Sequence, residues 1–218
     1  MTYRSTRPDH TFTQRLIALA CAVLVIGGSA VTAQTRDGVT VVSSDVSSFV
    51  VRVTPSVSTR RLAGGEILPE IPGARVSNPA KVGEPMEMSI EIPIALPSRS
   101  GSSVEVISAE YDAPVAGRIA PVPATRPDGE GFNIPVYTVN AAAYARGAAP
   151  VPTAQLTYLG VARDVHAGVI QVAPYQFNRS ASTIRFLRSV TVRLRYGGTD
   201  PAIASGVSEG LGIVSRLS

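Results

Sequence analysis

The sequence is poor in the side chains that carry most enzyme chemistry. It has one cysteine, two histidines and no tryptophan among 218 residues. Cys21 lies in an N-terminal apolar run, His10 precedes that run, and His166 stands alone in a predicted turn between strands. A cysteine nucleophile, a disulfide or a thiolate metal site needs cysteine in the folded part. A histidine base or ligand needs converging partners. We therefore expect no catalytic residue, no metal site and no cofactor.

Other enzyme signatures are also missing. No serine stands in a Gly-x-Ser-x-Gly setting, and there is neither a His/Glu metal spacing nor a glycine-rich nucleotide loop. Acidic pairs such as Glu66 with Glu70 and Glu105 with Glu110 fit exposed, alternating positions better than a glycosidase carboxylate pair. The sequence therefore predicts a protein that is not an enzyme by itself.

Basic residues are few and scattered. Lys81 is the sole lysine, and the net charge is only +4. Nucleic-acid binding usually needs a clustered basic face. We predict no nucleic-acid partner.

The first 33 residues are typical of a secretory signal peptide. Cations precede an apolar run at residues 16–26, and Val31-Thr32-Ala33 supplies small residues before Gln34, the expected new N-terminus. The run is short for a stable membrane span. We predict a protein exported to the periplasm or cell surface of a bacterium with no retained membrane anchor; an uncleaved anchor is the alternative.

A period of two dominates the rest of the chain. In residues 184–196 the even positions are mostly apolar, and the odd ones are mostly polar with arginine at three of the six, which indicates a half-buried strand. The pattern breaks at Arg188-Ser189, where we predict a bulge. We expect this strand to form a hairpin with Val169–Phe177 across the turn at Asn178.

Further strands follow the same logic. Met86–Leu96 alternates, and Pro93 within it predicts an edge or an unpaired position. A change of phase at Val106-Ile107 predicts another bulge. Proline and glycine divide most of the remainder, and only Ala141–Ala145 favours a helical turn.

These patterns predict an all-β protein, an antiparallel β-sandwich of about nine or ten short strands. The sandwich would occupy residues 34–198. Residues 199–218 are rich in glycine and serine and would form a flexible tail or the start of a linker.

A succession of motifs near the end of the chain resembles that of a known family. Arg163-Asp164, a strand, the run Ala173-Pro174-Tyr175-Gln176-Phe177-Asn178 and a final Val-x-Val-x-Leu-x-Tyr strand resemble the end of a gingipain-type propeptide. This is the N-terminal pro-domain of secreted bacterial cysteine peptidases, and type IX secretion sortases carry a related N-terminal domain. Phe177 stands where that family usually has tyrosine, and Arg179 where it usually has proline. A looser similarity extends from Val41 to Gly197.

The resemblance implies a non-catalytic pro-domain that aids folding and keeps a cysteine endopeptidase latent. Its partner would be a gingipain-like catalytic domain with a His-Cys dyad. That domain is absent from this chain, which ends at Ser218. A separately encoded pro-domain, a truncated remnant and a frameshifted gene all remain open.

Arg126 is the candidate inhibitory residue. It lies in Ala124–Gly129, which has the chemistry of an exposed turn. Arg-Pro bonds resist many peptidases because proline fixes φ and lacks an amide hydrogen. Arg126 would thus occupy an acidic specificity pocket without being cut. The alternative is an ordinary solvated arginine.

A second function class is a secreted β-sandwich module for binding or structure at the bacterial cell surface. Sugar-binding faces usually rely on exposed aromatic residues. Aromatic residues make up only 6% of this chain. A cluster of aromatic side chains on one exposed sheet face would favour this alternative.

Overall fold

The structure, a computed structural model, describes residues 35–36, 38–146, 151–162 and 165–197. The predicted signal peptide, the predicted tail at 199–218 and the pair Arg163-Asp164 lie outside the described residues.

Within those ranges the chain forms fifteen strands and one short helix. The elements are β1 (Thr35–Arg36), β2 (Val39–Ser44), β3 (Ser48–Val53), β4 (Ser58–Arg61), β5 (Ile67–Glu70), β6 (Ala74–Val76), β7 (Met88–Leu96), β8 (Ser103–Tyr111), β9 (Val115–Ala116), β10 (Ala124–Pro127), β11 (Asn133–Val136), α1 (Ala141–Ala145), β12 (Ala154–Ala162), β13 (Val165–Val172), β14 (Tyr175–Asn178) and β15 (Thr183–Arg195).

Two antiparallel sheets make up the body of the fold. The larger has seven strands in the order β1-β2-β3-β15-β14, with β8 and β9 also paired to β15. The smaller has four strands in the order β12-β13-β7-β6. Strand β15 is central, because its residues 190–195 pair with β3 along one edge and with β8 along the other.

Both sheets contribute to one hydrophobic core. Its fully buried side chains come from β3 and β15 of the larger sheet and from β7 and β13 of the smaller one, and include Val51, Val53, Val190, Val192, Leu194, Leu96, Ile170 and Val172. Each such side chain contributes about 1.5–3 kcal/mol when it leaves water. The predicted all-β sandwich is confirmed. The structure has fifteen strands instead of the expected nine or ten, and three of the additional short ones lie in the proline- and glycine-rich residues 56–85.

The detailed strand predictions also hold. The apolar even positions of β15 are buried, and the register with β8 shifts between Leu187 and Ser189. A second shift, opposite Thr191 and Val192, leaves Ile107 as the extra residue of β8. Pro93 lies beyond the short β6, which pairs only with residues 88–90, so no strand of that sheet covers its outer side.

The predicted hairpin of Val169–Phe177 with β15 is wrong in its first half. Val169 belongs to β13 and pairs with Pro93 of the smaller sheet, whereas Tyr175–Asn178 pairs with β15. The chain changes sheets at Ala173-Pro174, where Pro174 has no amide donor and its carbonyl accepts from Leu187 N at 2.9 Å. An apolar run suits the buried face of either sheet, so its pattern does not reveal the crossing.

The predicted helical turn is confirmed as α1. The Asn140 side chain accepts a hydrogen bond from Ala143 N at 3.2 Å, which caps the first turn. No helix in the described part of the chain is long and apolar enough to cross a membrane.

Candidate functional site

Strands β10 and β11 form a hairpin that pairs with no other strand of the described residues. Ala124 lies opposite Val136 and Arg126 opposite Ile134, in an antiparallel ladder of four residue pairs. Every residue from Thr125 to Pro135 is exposed. The hairpin is therefore an arm that extends from the sandwich into solvent.

The tip of this arm is held by Asp128. Its backbone N donates to Phe132 O at 2.9 Å. Its Oδ1 accepts from Glu130 N at 2.8 Å and from Phe132 N at 3.1 Å. Gly129 and Gly131 have φ of +92° and +94°, a region that glycine enters without strain. The Asp128 carboxylate, two residues after Arg126 in the chain, is thus engaged by turn amides.

Arg126 lies in strand β10 and not in the predicted turn, which begins at Asp128. The prediction of exposure is correct. Its guanidinium makes no hydrogen bond or ion pair with any residue in the described ranges. By contrast, seven other arginines form ion pairs: Arg60, Arg118, Arg146, Arg179, Arg188, Arg193 and Arg195.

The two prolines of the arm lie on its outer edges. Since Asp128 and Phe132 form a hydrogen-bonded pair, alternation makes Pro127–Asn133 a non-hydrogen-bonded pair, and likewise Thr125–Pro135. Backbone groups of such pairs point outward. Pro127 and Pro135 therefore each remove an outward amide donor, which disfavours the addition of another strand to the arm.

The segment before the arm is firmly anchored. Ala120 O accepts from Met86 N at 2.9 Å, and Val122 N donates to Glu84 O at 2.8 Å. Ala120 and Val122 also belong to a second apolar cluster with Leu68 and Met86. An exposed arm thus stands on a rigid base, which is how a binding loop is preorganised.

A partly buried polar cluster supports the same base. Glu66 is buried, contrary to the exposure predicted for it, and its Oε1 lies 2.9 Å from Arg118 Nη2. The Arg118 guanidinium lies 5.9 Å from the centroid of the Tyr144 ring. Burial, with the nearby Glu66 carboxylate as a second cause, raises the pKa of the Tyr144 hydroxyl above its usual range. Tyr144 therefore stays a neutral hydrogen-bond donor.

Arg179, which replaces the usual proline of the resemblance, ties α1 to the turn after β14. Its Nη1 donates to Ala143 O at 3.0 Å and to Arg146 O at 3.4 Å. Carbonyls at a helix C-terminus otherwise lack partners. Arg179 also lines a cleft of about 520 Å³ with Met86, Tyr175 and Phe177.

His166 was predicted to lie in a turn, but it lies in strand β13. Its Nδ1 is 2.9 Å from the Tyr158 hydroxyl across the β12–β13 ladder. His166 is the second residue of β13, which begins at Val165. Among the described residues, no group of three His, Cys, Asp or Glu side chains could hold a metal ion.

Exposed aromatic side chains do not cluster. Phe132, at 70% exposure, is the one exposed aromatic residue in the part of the chain that the structure describes. The cluster that would favour a sugar-binding module is therefore not seen in those ranges. The sequence analysis did not single out Phe132. The feature that could have indicated it is a large apolar residue inside a Gly- and Pro-rich segment.

Comparison with known proteins identifies the class to which this sandwich and arm belong. The family model of C25 peptidase propeptides, Propeptide_C25, matches residues 35–209. The chain therefore belongs to the Propeptide_C25 family, and the predicted gingipain-type propeptide is confirmed at this level.

Two solved structures from Porphyromonas gingivalis share the fold. One, on the zymogenic latency of gingipain K, aligns with a TM-score of 0.56 at 21% identity, covering 77% of this chain and 94% of that one. The other, a complex of RgpB pro- and mature domains, aligns with a TM-score of 0.59 at 18% identity, covering 80% and 97%.

A search of curated proteins gives no match. The predicted likeness to the N-terminal domain of type IX secretion sortases stays a prediction.

Proposed function

We propose that this chain is the non-catalytic pro-domain of a gingipain-type C25 cysteine endopeptidase, exported from a bacterium, that aids folding of the catalytic domain and keeps it latent. Membership of the propeptide family supports this proposal. The similar fold of a pro-domain in complex with its mature domain supports a catalytic-domain partner.

The observation that carries the inhibitory role is the state of Arg126. It is exposed on an anchored arm and is not neutralised by any carboxylate of the described residues. An acidic specificity pocket of a peptidase would accept such a guanidinium with charge-assisted hydrogen bonds. The arm would then present Arg126 as a substrate presents the residue before its scissile bond.

Pro127 explains why the bound arm would not be cleaved. The bond after Arg126 joins it to a ring nitrogen that carries no hydrogen. A substrate-like backbone hydrogen bond from that position is lost, and the fixed φ restricts how the leaving residue fits. Arg126 thus binds as a substrate residue while Pro127 blocks its turnover.

An inhibition assay tests the proposal. The purified protein is titrated into the C25 peptidases of the same bacterium, with peptides ending in Arg or Lys as substrates. We expect dose-dependent inhibition and a stable complex in gel filtration. Arg126→Ala should raise the inhibition constant roughly 30-fold or more, since truncating one partner of a buried charge pair costs about 2–5 kcal/mol.

Arg99→Ala is the matched control. Arg99 is an exposed arginine in the loop between β7 and β8, so its loss should leave the inhibition constant unchanged. A folded wild-type protein without inhibition would refute the latency role. Equal inhibition by wild type and Arg126→Ala would refute only the inhibitory role of Arg126 and would leave the latency role standing.

A further inference from the structure

The arm exposes apolar side chains as well as a cation. Phe132 is 70% exposed and Ile134 is 37% exposed. The backbone N and O of Phe132 both bond to Asp128. Its backbone is thus held in place, and an exposed aromatic side chain on an ordered backbone is suited to act as an anchor that a partner covers.

These side chains lie on the same face of the arm as Arg126. Ile134 is the direct cross-strand partner of Arg126. Phe132 lies two residues before Ile134, and such diagonal neighbours across a ladder are about 7–8 Å apart. Arg126, Ile134 and Phe132, the anchor face of the arm, therefore form one continuous surface with a cation beside an apolar patch.

The other surfaces of the arm are less suited to binding. Pro127 and Pro135 each remove a donor from an outer edge, which disfavours strand addition. A two-fold contact with a second copy through the anchor face would place two Arg126 cations in one interface, and like charges oppose such an association. A partner with an acidic pocket next to an apolar recess fits this face.

We propose that Phe132 and Ile134 form an apolar anchor that docks on the C25 catalytic domain next to the pocket that receives Arg126. This inference rests on the proposed function and adds a second contact to it. Arg126 provides the charge that the pocket recognises. Phe132 supplies buried area that slows dissociation, because differences in affinity within one interface lie mostly in the dissociation rate.

Two substitutions and a matched control test the anchor. In the purified protein, Phe132→Ser should raise the inhibition constant roughly 30-fold, the effect of losing a buried aromatic hot spot of about 2 kcal/mol. Ile134→Ser should act in the same direction. Val46→Ser removes an equally exposed side chain, also at 70%, from the turn between β2 and β3 and should change nothing.

The rate constants and the thermal unfolding midpoint complete the test. We expect Phe132→Ser to increase the dissociation rate and to change the association rate by less than about threefold. Because Phe132 is exposed, the midpoint should stay at the wild-type value. The double variant with Arg126→Ala should depart from additivity, since both residues would lie in one interface.

The outcomes separate the two proposals. If Phe132→Ser inhibits like wild type while Arg126→Ala does not inhibit, the anchor is refuted and the latency role stands. The anchor is also refuted if Phe132→Ser and Val46→Ser raise the inhibition constant by the same factor. If the wild-type protein neither binds nor inhibits the peptidases, the latency role and the anchor both fail.

Discussion

The Tyr144 hydroxyl donates a hydrogen bond of 2.7 Å to the backbone carbonyl of Ile119. Tyr144 belongs to α1, and Ile119 is a fully buried residue of the segment that leads into β10. This one bond connects the only helix of the described residues to the base of the arm. The helix therefore serves as a brace for the segment that presents Arg126.

Replacing Tyr144 with Phe should lower the free energy of unfolding by about 1–3 kcal/mol, because the Ile119 carbonyl would be left buried without its partner. Urea unfolding of the whole protein measures this. Tyr137→Phe is the control, since the Tyr137 hydroxyl bonds to no described residue and its removal should cost under about 0.5 kcal/mol. Equal stabilities of the two variants would contradict the brace.

Replacing Pro127 with Ala should turn the inhibitor into a substrate. The variant keeps Arg126 for the specificity pocket but restores an amide hydrogen and a free φ after it. We expect inhibition that fades with time, and a cut after Arg126 detectable by mass spectrometry. Pro135→Ala, on the opposite strand of the arm, is the control and should remain uncut after Arg126. An intact Pro127→Ala variant after long incubation would argue against substrate-like binding of the arm.

Leu194→Ala should destabilise the sandwich strongly. Leu194 is fully buried in the core shared by the two sheets. Removing such a side chain and leaving a cavity costs about 2–5 kcal/mol. Leu159, 64% exposed on β12, provides the control, and Leu159→Ala should lie within about 0.5 kcal/mol of wild type. Chemical denaturation measures the free energy of unfolding of both variants. Similar decreases would show that Leu194 does not belong to the stabilising core.

Asp45 should make the β2–β3 turn sensitive to acid. Its carboxylate accepts hydrogen bonds from the Ser47 side chain and backbone N, and then from those of Ser48, which lowers its pKa to about 2. A lowered pKa in the folded state stabilises the fold above the ordinary value of 3.8, and this contribution disappears as the pH falls through about 2.

The test compares thermal unfolding of wild type and Asp45→Ala across pH. The variant should be less stable between pH 5 and 7, by a constant margin. The margin should shrink below about pH 4, where the unfolded chain begins to bind the proton, and vanish near about pH 2, where the folded protein binds it too. A margin that persists unchanged to pH 2 would show that the turn is stabilised by something other than the ionised carboxylate.

Local patterns in the sequence predicted individual strands well. The alternation in β15 and the phase breaks at Arg188 and Ile107 are consequences of burying one face of a strand, so they can be read from neighbouring residues. The same holds for α1, which ends close to where glycine and proline follow. Each of these features depends on a few residues that are adjacent in the chain.

Pairings between distant residues could not be predicted. Nothing near Ala173-Pro174 shows that the chain leaves one sheet for the other, because both sheets bury apolar side chains in the same core. Pro127 suggested an exposed turn, yet it occupies an outward position of a ladder where no amide is needed. The anchor face is also invisible in sequence, since only the register brings Arg126 beside Ile134.

The central place of β15 affects how the chain matures during synthesis. This strand comes last among the described elements and pairs with β3, β8, β9 and β14. Until residues 183–195 have been synthesised, the larger sheet lacks its central strand. Sheets whose strands are distant in sequence form slowly. We therefore expect the larger sheet, and the core that it shares with the smaller sheet, to be completed only after the last described strand has been synthesised.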